Sequence, residues 1–113
     1  MHELAVTQSM LNLALEYAER ASAQRITCIN LVIGELSGIV DESVQFYFDF
    51  VSKDTLAEGA QLAFERMPAR FRCRACGHEF ALQDDNWACP ACQEWGGEII
   101  AGREFYMDSI EVE

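Results

Sequence analysis

From Leu4 to about Ala23, apolar residues recur with helical spacing. Val6, Met10, Leu11, Ala14, Leu15, Tyr17, Ala18 and Ala21 cover one side, and Gln8, Ser9, Asn12, Glu16 and Glu19 the other. So wide an apolar face calls for a sheet to cover it. Arg25 to Ile33 supplies a strand that is β-branched and apolar on nearly both sides, as a strand with neighbours on each face should be, and Gly34 ends it. After the loop from Glu35 to Val40, Asp41 reads as the N-cap of a second helix, with Glu42 in its first turn. Val44, Phe48 and Val51, with Tyr47 beside them, form that helix's apolar stripe to about Thr55, and Gly59 breaks it. Gln61 to Met67 alternates as a second strand closed by Pro68, and Glu104 to Glu113 alternates imperfectly as a third, through Phe105, Met107, Ile110 and Val112. The order predicts an α+β fold, two helices packed on a three-stranded sheet with an insert between its last two strands. Those flanking strands are expected to pair, so that the insert projects from the sheet's end.

Residues 70–102 differ in composition, holding four of the seven glycines, both tryptophans and two cysteine pairs, with few long aliphatics. The expected division is therefore 1–69 plus 103–113 as one α+β domain and 70–102 as a second. The chain has 113 residues, half of them apolar, and 8 bases against 19 acids give a formal charge of −11. That balance argues against a general nucleic-acid binder, which needs excess cations to displace counterions from phosphate. The start, Met1-His2-Glu3-Leu4, has no basic leader pattern, and no apolar run reaches the roughly 18 residues that cross a bilayer. A cytoplasmic protein without membrane or nucleic-acid partners is expected.

Four of the five cysteines form two knuckles, Cys73-Arg-Ala-Cys76 and Cys89-Pro-Ala-Cys92, with twelve residues between them. In a reducing compartment such clustering points to a tetrahedral metal, and four soft thiolates favour structural zinc over a thiol redox pair or an iron site. A closed four-thiolate site is no catalyst; its role is to fold an insert that owns little core. His78 could replace a sulfur, but with four thiols present a surface imidazole is the weightier reading. Cys28, mid-strand among aliphatics, reads as a small buried hydrophobe. Arg70, Arg72 and Arg74 alternate onto one strand face, and on so acidic a chain they read as a solvated face or a dock for an acidic partner.

Met1-His2 offers a different chemistry. A free α-amine, the amide nitrogen of residue 2 and the His2 imidazole can close two chelate rings in one plane, which suits square-planar Ni(II) or Cu(II) and leaves one position open. On its own a second-position histidine is more often a surface residue.

The combination of Met1-His2-Glu3-Leu4, the segment from Val32 to Val44, the two Cys pairs and the ending Ser109-Ile-Glu-Val-Glu113 resembles the HypA/HybF family of nickel metallochaperones for [NiFe]-hydrogenase maturation. The resemblance covers essentially the whole chain. It implies a non-enzyme that carries nickel as cargo at Met1 and His2, with Glu3 beside them, and zinc at Cys73, Cys76, Cys89 and Cys92. Asp41 falls where some relatives place a nickel-proximal carboxylate, beside its reading as N-cap. Some relatives supply a further nickel imidazole after the second Cys pair; Cys92 to Glu98 contains no His here, leaving Glu98, Glu3, water or a partner residue as the fourth ligand. The implied partners are the pathway's accessory GTPase and the hydrogenase large subunit, with urease maturation in some hosts. Apart from the resemblance, a monomer able to form a domain-swapped homodimer is expected, since an insert between two strands makes a hinge and a C-terminal strand that pairs within its own chain can pair with another copy. Two other classes compete on the residues alone: a zinc-ribbon protein- or nucleic-acid-binding adaptor, in which His2 is incidental, and a small thiol oxidoreductase using one Cys-x-x-Cys.

Overall fold

The computed structural model describes residues 3–81 and 87–113. Helix α1 (Glu3–Arg20) buries Thr7, Met10, Leu11, Ala14 and Ala18, close to the stripe that the periodicity predicts. Thr7 joins it because its hydroxyl donates to the Glu3 carbonyl at 2.6 Å, which leaves only a methyl group to bury. Tyr17 turns out to be exposed, with the Arg20 guanidinium 5.3 Å over its ring. The helix stops at Arg20 rather than Ala23 because Ser22 adopts a left-handed φ of 54°. The Ala23 N–H then bonds the Ala18 carbonyl at 2.9 Å and the Ser22 N–H bonds Glu19 at 3.0 Å, the paired closure that satisfies the last carbonyls.

Strand β1 (Ile26–Gly34) is followed by α2 (Asp41–Val51) and β2 (Gln61–Met67). Helix α2 buries Val44 and Phe48 and is four residues shorter than expected, with Asp54 in the left-handed region at φ 64° just beyond it. Its N-cap is Val40, in extended conformation and without a side-chain cap, so Asp41 is the first helical residue and not the cap. The Asp41 carboxylate still takes the Glu42 N–H at 3.0 Å, serving one orphan donor from inside the first turn.

The chain then forms β3 (Arg70–Cys73), β4 (Glu79–Ala81), β5 (Gly97–Ala101) and finally β6 (Phe105–Val112). These make two three-stranded sheets, ordered β2-β1-β6 and β4-β3-β5. The larger corrects the expected pairing: β2 and β6 do not meet, because β1 lies between them, parallel to β2 and antiparallel to β6. The physical reason is that β1 is the most apolar strand and gains most from a neighbour on each side. Ile26, Ile29, Leu31 and Ile33 of β1 join Leu11, Ala14, Val44, Phe48 and Leu62 in one core, all of them buried. A second, smaller core gathers Ala69, Phe71, Cys73, Phe80 and Cys89 about the small sheet, where the Phe71 and Phe80 rings stack at 5.7 Å.

The two meet at the loop after β1. Gly34 N–H bonds the Glu104 carbonyl at 2.6 Å, Glu35 N–H the Met67 carbonyl at 2.9 Å, and Leu36 N–H the Gly102 carbonyl at 2.6 Å. This loop therefore holds the chain both where it leaves for the small sheet and where it returns. Contact is close enough that both glycines are required: a Cβ on Gly34 would run into the Gly102 carbonyl, and one on Gly102 would lie 2.7 Å from the Ala69 Cα. The molecule is elongated, 54 × 24 × 18 Å. No helix among the described residues is long and apolar enough to cross a membrane.

Candidate metal centre

Each cysteine pair is built on the same turn. After β3, the Gly77 N–H bonds the Cys73 carbonyl at 2.9 Å while the Cys73 N–H bonds the His78 carbonyl at 2.9 Å. In the second knuckle the Gln93 N–H bonds Cys89 at 2.7 Å and the Cys89 N–H bonds Glu94 at 3.0 Å. The left-handed residue that closes each turn is Gly77 in the first, φ 79°, and Gln93 in the second, φ 65°. Such turns aim backbone N–H groups at sulfur, as the 3.4 Å contact from Ala91 N–H to the Cys89 Sγ illustrates.

The two turns bring all four sulfurs within 4.8 Å of one another. Cys73 and Cys92 are 3.5 Å apart and Cys76 and Cys89 are 3.6 Å apart, and none is in a disulfide. A tetrahedral ion with metal–sulfur bonds of about 2.3 Å needs sulfur–sulfur edges of about 3.8 Å, so the cluster fits one four-thiolate metal. Cys73 and Cys89 are buried, Cys92 half-buried and Cys76 exposed. The N–H groups of Cys76 and Ala75 stabilise a Cys73 thiolate, whose pKa falls to about 7 despite burial. At Cys92 the Glu94 N–H also favours the thiolate, yet burial and the neighbouring thiols together push it up to about 12. Four thiolates this close repel one another, and a divalent cation is what allows all of them to ionise together.

His78 is exposed, outside the sulfur cluster, with its ring stacked 6.4 Å from Phe80. Cys28 lies apart in β1 and is half-buried rather than buried, its Sγ 3.7 Å from Asn30 Oδ1, and that partial burial raises its pKa, helped by Glu111. All three arginines are exposed, and Arg72 is met by Glu79 at 3.4 Å and Glu98 at 3.8 Å. Met1 and His2 lie outside the described residues. Glu3 opens α1, and its Oε2 accepts from the Val40 N–H at 3.4 Å, which ties the start of α1 to the start of α2. Asp41 beside it is engaged by Arg66 at 3.3 Å. The residues that sequence reasoning missed are those of the junction, Gly34, Leu36 and Gly102. The only signal was a glycine at the end of an apolar strand.

Residues 1–112 match the family model described as hydrogenase/urease nickel incorporation, metallochaperone, HypA. A hydrogenase maturation factor HypA of Dehalococcoides mccartyi (strain ATCC BAA-2266 / KCTC 15142 / 195) is 51% identical over 113 residues, covering 100% of this chain and 95% of that protein. One from Caldanaerobacter subterraneus subsp. tengcongensis is 44% identical over 117 residues, with both chains fully covered. Among solved structures, the solution structure of the Ni metallochaperone HypA from Helicobacter pylori superposes with a TM-score of 0.72 at 26% identity, over 99% of this chain and 97% of that one. A second HypA solution structure gives 0.76, also at 26% identity, over 100% and 97%. With its two helices, small sheets and a four-cysteine cluster able to hold a metal, the chain belongs to the HypA family of nickel-incorporation metallochaperones.

Proposed function

We propose that this chain binds Ni(II) through the α-amine, the His2 amide nitrogen and the His2 imidazole, with Glu3 beside them, and delivers it to the large subunit of [NiFe] hydrogenase. The observation that carries the reading is a family match that begins at residue 1 and so includes Met1-His2-Glu3. A cargo site must select its ion yet release it, and three nitrogen donors with a replaceable fourth ligand do both. Cys73, Cys76, Cys89 and Cys92 hold structural zinc, which keeps residues 70–102 folded and takes no part in transfer. Residues 1–69 with 103–113 form the nickel-binding unit, which acts in the cytoplasm with an accessory GTPase, chiefly as a monomer able to form a domain-swapped homodimer.

Calorimetric nickel titration of the native chain, of a chain with one Gly added before Met1, and of His2→Ala tests the reading. The extension moves the amine out of its chelate ring and the substitution deletes the imidazole. Each should abolish specific nickel binding while zinc content stays at one per chain. Protons compete for the same donors, so affinity should fall on acidification through the range of about 6.5 to 8 in which histidine and the α-amine titrate. Unchanged affinity in the extended chain would place the nickel elsewhere.

A further inference from the structure

Strand β6 stands at the edge of the larger sheet, eight residues long, with β1 on one side and no strand on the other among the described residues. Edge strands of that length are usually blunted by proline, lysine, other charges or bulges, or covered by another element, since their open N–H and C=O groups template further pairing. Strand β6 has neither proline nor lysine, and its devices of this kind are two acids and one bulge, at Asp108. Two adjoining cavities of about 370 and 520 Å³ run between β6 and α1, sharing Leu13 and Met107. Leu13, Tyr17, Tyr106 and Val112 around them are all about 40% exposed or more. An edge strand beside a helix, with an apolar groove between, has the geometry that accepts an extended segment: main-chain bonds form to the strand and alternate side chains enter the groove.

The charge distribution selects the occupant. Among the described residues, Asp108 is the single charged one lining these two cavities. Pairing between β1 and β6 passes from Asn30–Ser109 to Leu31–Met107, so Asp108 is the extra residue of a bulge, a device that re-aims one side chain and interrupts continuous pairing. A second copy paired on this edge in the two-fold antiparallel register centred between Ser109 and Ile110 would set Asp108 of each chain against Glu111 of the other, on chains that each carry −11. A segment bearing Lys or Arg opposite Asp108 meets no such repulsion. We propose that the α1–β6 groove is a docking site for an extended, basic segment of another protein, added as a fourth strand beside β6 and admitted by the Asp108 carboxylate. The proposal does not rest on the amino-terminal nickel reading.

The test uses the full chain purified without chelator and a capped decapeptide of alternating Val and Lys, followed by amide chemical shifts and hydrogen exchange. A Val–Glu decapeptide and a Val–Lys peptide interrupted by two prolines serve as controls. The expected result is saturable shifts along β6, Leu13 and Tyr17, slower exchange of β6 amides, and neither effect with the controls. Asp108→Lys should weaken Val–Lys binding by about tenfold and admit the Val–Glu peptide. Leu13→Asp, at an exposed position, should weaken it without altering metal content or circular dichroism. The proposal is overturned by the absence of saturable binding, by shifts centred on another surface such as Phe46 and Phe50 of α2, or by equal binding of the acidic peptide. Sedimentation that shows a dimer whose formation protects β6 would overturn it too, because the occupant would then be a second copy.

Discussion

Glu104 shows how one side chain can tie the junction to pH. Its Oε1 accepts from the Gly102 N–H at 2.6 Å, and that bond, then its own and the Arg103 N–H groups, hold the carboxyl below its ordinary value against partial burial. The folded pKa therefore lies below the unfolded one. The stabilisation is complete above the unfolded value of about 4.3 and is lost as pH falls through the folded value. Glu104→Gln keeps an acceptor but does not titrate. The urea midpoints of the two proteins should differ by a constant amount near neutrality and converge below about pH 4.3; a gap that persists in acid would show that the charge is irrelevant. Gly34 carries a steric demand instead. The Cβ in Gly34→Ala would meet the Gly102 carbonyl and approach Glu104 N to 2.8 Å, both backbone groups that cannot swing aside. A loss of about 3 kcal/mol in urea unfolding is expected, and a loss under about 0.5 kcal/mol would mean that the loop relaxes freely.

At the scale of elements, α2 offers a gain as well as a test. Val40 is 48% exposed, adopts the extended conformation of an N-cap and offers no side-chain acceptor, whereas the Asp41 carboxylate, from within the helix, takes the Glu42 N–H and the Arg66 guanidinium. Val40→Asn should raise stability by about 0.5–1 kcal/mol, read as a higher thermal midpoint, because it adds an acceptor at little cost in burial. The misplaced cap also shows where sequence reading is weakest. Helix faces, the bounds of β2 and the apolar character of β1 were legible because each is repeated over many residues, and the cysteine spacing was legible because thiolate geometry leaves few alternatives. Strands β3, β4 and β5 were not, since each is five residues or shorter and their buried positions are few, Phe71, Cys73 and Phe80 among them. Sheet order was not legible either: two strands that flank an insert look like partners along the chain, and only the competition for the centre of the sheet, which β1 wins, separates them. Met1 and His2 were read from chelate chemistry together with the family resemblance, and lie outside the described residues.

At the scale of the whole molecule, the two cores should respond separately to a metal held by the cysteine cluster. The smaller core includes Cys73 and Cys89 themselves, whereas the larger owes nothing to the cysteine cluster. Chelation, or Cys73→Ala, should therefore speed hydrogen exchange throughout β3, β4 and β5 while the amides of α1, β1 and α2 remain protected. Equal loss in both regions would mean that they unfold as one unit. The junction loop has a further consequence, for the order in which the chain finds its structure. Once β2 lies beside β1, with Gly34 opposite Met67, strand β6 can join only by closing the whole length of chain from Met67 to Phe105. A folded small sheet sets Arg70 against Ala101 and reduces that closure to a few residues on either side. Shortening a loop roughly fivefold lowers the entropic cost of closing it by about 1.5 kcal/mol. Metal-loaded chain should thus dock β6 roughly tenfold faster than chelated chain in stopped-flow refolding, making the ion a kinetic clasp for a strand it never touches.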